Sequence, residues 1–326
     1  MTNTTEKTRA AATVSARRPL GNRIYRFLRS IPTWALWVMV ILWTIPTFSL
    51  FVNSFRTRDA QRASGFWNAL SDNANGWQFP TLENYEQVLF PDVGAGLGNA
   101  LLNSASIAIV ATIIPIAIAA FAAYAFAWID FPGREWLFIA TVALLAVPSQ
   151  VALIPLLSAY STGVALTLPV IGKTITVFPD LNLSGTIPAV WLTHTGFAMP
   201  FAIFLLHNYI AGLPKDLFES ARIDGADHFK IFFRLVVPLS VPVLAAFAIF
   251  QFLWTWNDYL IALTMIGGNR EALPGTIVVA SLAGEFGARE NLLTAGAFVI
   301  TVVPVLVFFA LQRFFVRGIT AGSVKG

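Results

Sequence analysis

Leu213-Pro214-Lys215-Asp216-Leu217-Phe218-Glu219-Ser220-Ala221-Arg222-Ile223-Asp224-Gly225-Ala226 is a long, evenly charged stretch set between two strongly apolar blocks in the second half of the chain. Pro214 and Gly225 frame a short helix over about 215–224, because proline suits a helix start and glycine the left-handed position after a helix end. Asp216 and Glu219 fall toward the positive end of that helix. A second helical turn over 227–236 runs into Pro238. If the flanking blocks cross a bilayer, this stretch is the largest structured feature on one side, and the side decides what it meets.

The composition answers the first condition. With 56% apolar and 12% charged residues, the chain is too apolar for an ordinary soluble domain, and the apolar residues gather in blocks long enough to span hydrocarbon. The absence of cysteine excludes disulfides, thiolate catalysis and cysteine metal sites. The three histidines, His194, His207 and His228, have no metal-ligand spacing. The net charge of +4 comes from basic residues flanking apolar blocks, where they set topology, so nucleic acid is not needed to explain it.

Read in order, residues 1–30 form a basic segment, with Lys7, Arg9, Arg17, Arg18, Arg23, Arg26 and Arg29 against Glu6. A first membrane helix is expected over 31–54, too long for a signal-peptide core, with a kink at Pro46. Residues 55–98 read as an open external loop. Within it, Phe79-Pro80-Thr81 makes a turn into a short helix that Thr81 can cap. Residues 99–315 form a five-helix core. Its second span, over 99–128, is rich in small residues that permit close packing. The short turn 129–135 then forces a hairpin with a third span over 136–160, and Trp128 and Trp136 read as interface anchors. Pro148 and Pro155 interrupt that third span, either as a packing kink or as a wall of a passage.

Residues 161–185 read as a β-prone external insert, with a short strand over 173–178. The fourth span is expected over 186–210, the polar loop over 211–235, the fifth span over 238–266, an external loop over 267–291 and the sixth span over 292–315. Residues 316–326 are the tail. With six crossings and both termini inside, 15 of the 21 Lys and Arg lie inside and six outside, which puts the polar loop in the cytoplasm. Arg56, Arg58 and Arg62 go against the trend and are outweighed by the seven basic residues before the first span.

The chain carries no Gly-rich nucleotide loop, and no cytoplasmic segment is large enough to bind ATP alone. Energy, if used, comes from a partner. Asp258 is the one acid placed within a membrane helix, either as a structural cap or as part of a solute path. Trp254, Asn257 and Asp258, with Trp191 and His194, have the aromatic, amide and polar character that suits a sugar, although packing and interface roles also account for Trp191 and His194.

Glu219-Ser220-Ala221-Arg222-Ile223-Asp224-Gly225, with Leu235-Val236-Val237-Pro238, resembles the EAA loop of binding-protein-dependent ABC importer permeases. That loop reads Glu-Ala-Ala, three residues, Gly, nine residues, Ile-x-Leu-Pro; here Ser220, Leu235 and Val237 are the departures. The end of the chain, with Thr320, Ala321, Gly322 and Lys325, resembles the tail of the MalG-type subunit of carbohydrate importers. Trp191-Leu192-Thr193-His194, the run from Phe250 to Asp258, and Leu293-Thr294-Ala295-Gly296 resemble the second permease of alpha-glucoside importers.

The resemblance implies an all-α polytopic protein with six transmembrane helices, the type I ABC importer permease fold, and both termini in the cytoplasm. It implies a bacterial inner-membrane sugar permease that is not an enzyme and binds no cofactor itself. Its partners would be a second permease, two copies of an ATPase using MgATP, and an external sugar-binding protein. Glu219, Ser220, Ala221, Asp224 and Gly225 would form the coupling helix, with Glu219 toward a basic residue of the ATPase and Ala221 against its cleft; the tail would reach between the ATPases. A secondary active transporter is the competing class, but it needs an ion-coupling site and an internal repeat, neither of which the sequence presents clearly.

Overall fold

The computed structural model describes the backbone of residues 32–92, 96–168, 172–283 and 289–323. The chain divides into two units that part between Val52 and Asn53. The first is dominated by α1 (Thr33–Ser54), apolar along its length and carrying Pro46. At 1.5 Å per residue its 22 residues reach about 33 Å, enough for a bilayer core of about 30 Å.

Next come α2 (Arg58–Ala63), two 3-10 turns (Phe66–Ser71 and Asn73–Asn75) and α3 (Glu83–Leu89). This region is not an open loop. Arg56 is completely buried, its Nε 2.6 Å from Asp72 Oδ2, and its guanidinium also donates to Asn53 Oδ1, Ala60 O, Ser64 O and Ser64 Oγ. Asn84 donates to Ser54 O and Arg56 O, and accepts from Asn291. Leu82 occupies the cap position of α3, while the Thr81 hydroxyl accepts from Glu83 N at 3.2 Å.

The centre of the second unit is α4 (Leu97–Trp128) against α7 (Ile187–Ile210). Ala100, Ser104, Ala108, Ala111, Ala119 and Ala123 are buried along α4 at helical spacing, and their small side chains let the backbones approach. The expected third span is two helices, α5 (Arg134–Ala143, extended by a 3-10 turn to Ala146) and α6 (Ser149–Thr162), bent by 104°. Pro148 excludes the helical region for Val147, whose ψ is 116°. Pro155 makes no second break and stands inside α6.

The insert is an antiparallel hairpin, β1 (Val164–Leu168) with β2 (Lys173–Phe178), pairing Leu166 with Ile175 and Thr167 with Thr174. It is the exception to an otherwise helical fold among the described residues. Gly163 joins it to α6 at φ +69°, where a Cβ would stand 2.7 Å from Phe178 O.

The polar loop contains α8 (Lys215–Ile223) and α9 (His228–Ile231). A π turn, Phe232–Val236, carries α9 directly into α10 (Val237–Trp256). Pro238 has no N–H for the α pattern, and the wide turn falls just before it. The fifth span therefore starts at His228 rather than 238, and it ends at Trp256 rather than 266. A break at Asn257–Tyr259 precedes α11 (Leu260–Ile266). Residues 267–291 are likewise more than a loop: α12 (Gly275–Leu282) buries Gly275, Ile277 and Val278. Last comes α13 (Glu290–Ser323), helical through eight residues of the expected tail. Among the described residues five helices are long and apolar enough to cross a membrane, or six if the bent pair is counted as one span.

Candidate functional site

At one end of the core, α8 presents a single inward face. Phe218 is buried and Ala221 half-buried, three residues apart, while Lys215, Asp216, Leu217, Glu219, Ser220, Arg222 and Ile223 are exposed. Phe218 stacks on Trp128 at the foot of α4, with centroids 3.6 Å apart and planes 15° apart. The Trp128 indole also donates to Ile210 O at 3.0 Å, so this tryptophan ties α4, α7 and α8 together.

The end of α8 is closed by paired turns: Gly225 N bonds Arg222 O at 3.0 Å, Ala226 N bonds Ala221 O at 2.9 Å, and Gly225 has φ +76°. This is the two-bond glycine termination that satisfies the last carbonyls of a helix. Asp227 then caps α9 by accepting from Lys230 N at 2.7 Å. Tyr124 of α4 meets His228 Nδ1 at 2.9 Å, and Phe121 of α4 stacks on Phe232 at 4.3 Å. The loop is thus fastened to α4 at three levels.

Glu219, Ser220, Asp224 and Gly225 lie on the open side of this element; Ala221 does not, since it packs inward against the buried cluster containing Phe218, Leu206 and Ile210. Ile223 is 85% exposed, an apolar side chain in the middle of the polar face. Thr320, Ala321 and Gly322 fall on the helical backbone of α13, and Lys325 lies outside the described residues.

An open-sided cavity of about 830 Å³ lies at the bend between α5 and α6, with Leu144, Val147, Pro148 and Gln150 exposed along it. Gln150, Tyr160, Leu192, Phe197 and Trp254 are among its walls. Of the five residues expected on a solute path, Trp254 alone lines it. Trp191 is half-buried against the cluster around Met265 and Ile266, and its indole N–H is buried. His194 has no exposed surface. Asn257 is exposed and donates to Leu253 O at 2.8 Å. Asp258 is not inside a helix: it stands in the break and caps α11, accepting from Ile261 N at 3.4 Å and Ala262 N at 3.0 Å.

Sequence reading missed Tyr160 and Phe197 at the cavity, whereas Gln150 lies in the Pro148–Pro155 stretch weighed as a kink or a wall of a passage. Tyr160 and Phe197 carry no local signal.

The sequence pattern of the binding-protein-dependent transport system inner membrane component matches residues 116–321. The osmoprotective compounds uptake permease protein GgtD of Synechocystis sp. is 48% identical over 305 residues, which are 93% of this chain and 95% of that one. The alpha-glucoside transport system permease protein AglG of Rhizobium meliloti is 51% identical over 246 residues, 76% of this chain and 60% of its own length. Among solved structures, a chain of a bacterial ABC transporter involved in the import of the acidic polysaccharide alginate superposes with a TM-score of 0.66 at 18% identity, over 91% of this chain and 98% of that chain, and so shares the fold. The chain is accordingly a multi-pass bacterial inner-membrane permease and not an enzyme. It belongs to the family of binding-protein-dependent transport system inner membrane components, the permease subunits of ABC importers.

Proposed function

We propose that this permease carries an alpha-glucoside or a related oligosaccharide across the inner membrane, as one half of a heterodimer with a second permease. Two copies of a cytoplasmic ATPase drive it with MgATP, and an external binding protein delivers the sugar. Both termini are cytoplasmic, and α8 is the coupling helix. The supporting observation is the geometry of α8: an open face bearing Glu219, Ser220 and Arg222, with Asp224 and Gly225 at its end, is locked by Phe218 onto α4. A contact made on that face moves the bundle rather than a slack loop. The tail residues Thr320, Ala321, Gly322 and Lys325 contact the same ATPase pair.

Sugar passes along the wall that includes Trp254 and Gln150, whose indole and amide suit ring faces and hydroxyls. The relative named for alpha-glucoside transport supports this solute class.

Reconstitution of the chain with its second permease, ATPase and binding protein tests the whole reading. Uptake of one alpha-glucoside from a sugar panel is expected only with MgATP and a loaded binding protein. Uptake driven by an ion gradient without the ATPase would replace this reading with a secondary transporter.

A further inference from the structure

His194 is a fully buried imidazole on α7, and neither ring nitrogen has a hydrogen-bond partner among the described residues. Buried polar groups rarely stay unpaired, because burial has taken away the water that would satisfy them. Its Nε2 stands 3.5 Å from Asp258 Oδ2, at the outer limit of a direct hydrogen bond. Beside the pair is a void of about 10 Å³ lined by Ser104, His194, Thr255, Asp258 and Pro274. A probe volume of about 10–15 Å³ is what one water needs, along with two to four polar partners. His194, Asp258, Ser104 and Thr255 offer those partners.

The position of the void gives such a water a task. Ser104 belongs to α4, His194 to α7 and Thr255 to α10, and Asp258 forms the break before α11. The Asp258 side chain caps α11, and its carbonyl accepts from Thr276 of α12 at 2.7 Å. On its other side, the His194 ring meets Trp254 edge to face, with centroids 5.1 Å apart and planes at 84°. A polar link from His194 to Asp258 therefore joins α7 to a residue that bonds to both α11 and α12 at the break.

We propose that His194 and Asp258 form a water-bridged latch, with a single water bound between them in this void, and that the latch fixes the break at Asn257–Tyr259 against α7. His194 is a positioning residue in this arrangement. The inference rests on the fold and is independent of which solute is carried.

The test is made on the assembled importer in lipid nanodiscs. A structure at a resolution that shows ordered waters is expected to place one water within hydrogen-bond distance of both the His194 ring and the Asp258 carboxylate. A direct His194–Asp258 bond, a dry void or a metal ion in the density would each overturn the proposal. Amide exchange supplies the second readout: H194L leaves the cap on α11 untouched, yet exchange at Ile261 and Ala262 is expected to rise roughly tenfold, as for loss of one buried polar link. H194Q, which keeps a donor and an acceptor, is expected to stay near the parent. Unchanged exchange in H194L, or an equal rise in H194Q, would reduce the pair to packing. If H194L does not assemble, the water density in the parent complex decides alone.

Discussion

Gly225 and Phe218 act on opposite sides of one short helix, and their substitutions separate backbone, packing and contact effects. Gly225 has φ +76° and open space where a Cβ would stand. Gly225→Ala therefore meets no clash and loses only the left-handed preference, about 1 kcal/mol; a small fall in melting temperature of the purified complex with uptake retained is the expected result. Gly225→Glu carries the same backbone penalty and adds bulk to the open face, so uptake should vanish while assembly persists. Equal loss of uptake in both variants would place the effect in the backbone and not in a contact. Phe218→Ala removes a buried ring stacked on Trp128 and should destabilise by about 3 kcal/mol or more. Thermal unfolding measures this, and a loss below about 1 kcal/mol would show that α8 is not held by the stack.

At the scale of elements, the legible parts were those set by hydropathy and turn chemistry. The runs that became α1, α4 and α7 were apolar for long enough to read directly, and the strand over 173–178 showed in its β-branched alternation. The glycine stop of α8 showed because a left-handed residue must follow the last turn. Elements fixed by distant partners were hidden. The helix Gly275–Leu282 has a sequence that suits a strand or a loop, and it is helical where α4 and α13 bury it. The break at Asn257–Tyr259 lies in an apolar run and depends on Asp258 taking up two backbone amides. For the cavity, Trp254 was legible by chemistry, but Tyr160 joins it only because α6 turns by 104°.

The Arg56–Asp72 element was hidden for the same reason, since its partners are 16 residues apart and no periodicity links them. Breaking a buried pair strands the remaining charge. Asp72→Ala is therefore expected to destabilise by about 3–5 kcal/mol, and pairing Arg56→Met with Asp72→Leu should recover much of the loss. Chemical unfolding of the single and double variants checks it; additive losses would mean that the two residues act separately.

For the molecule as a whole, the proposed mechanism turns on the side of the membrane that α8 faces. The hairpin and α8 are separated by one spanning helix, α7, whose 24 residues reach about 36 Å. They must therefore face opposite sides if α7 crosses once. Because the chain contains no cysteine, single thiols report on this without background. Thr174 of β2 and Ser220 of α8 are both exposed positions. In spheroplasts, a membrane-impermeant thiol reagent should modify T174C at once and S220C only after the membrane is opened. The reverse pattern would put α8 outside and remove any route to a cytoplasmic ATPase. Labelling of both from outside would mean that α7 does not cross, and the fastening of α8 to α4 through Phe218 and Trp128 would then need another purpose than coupling.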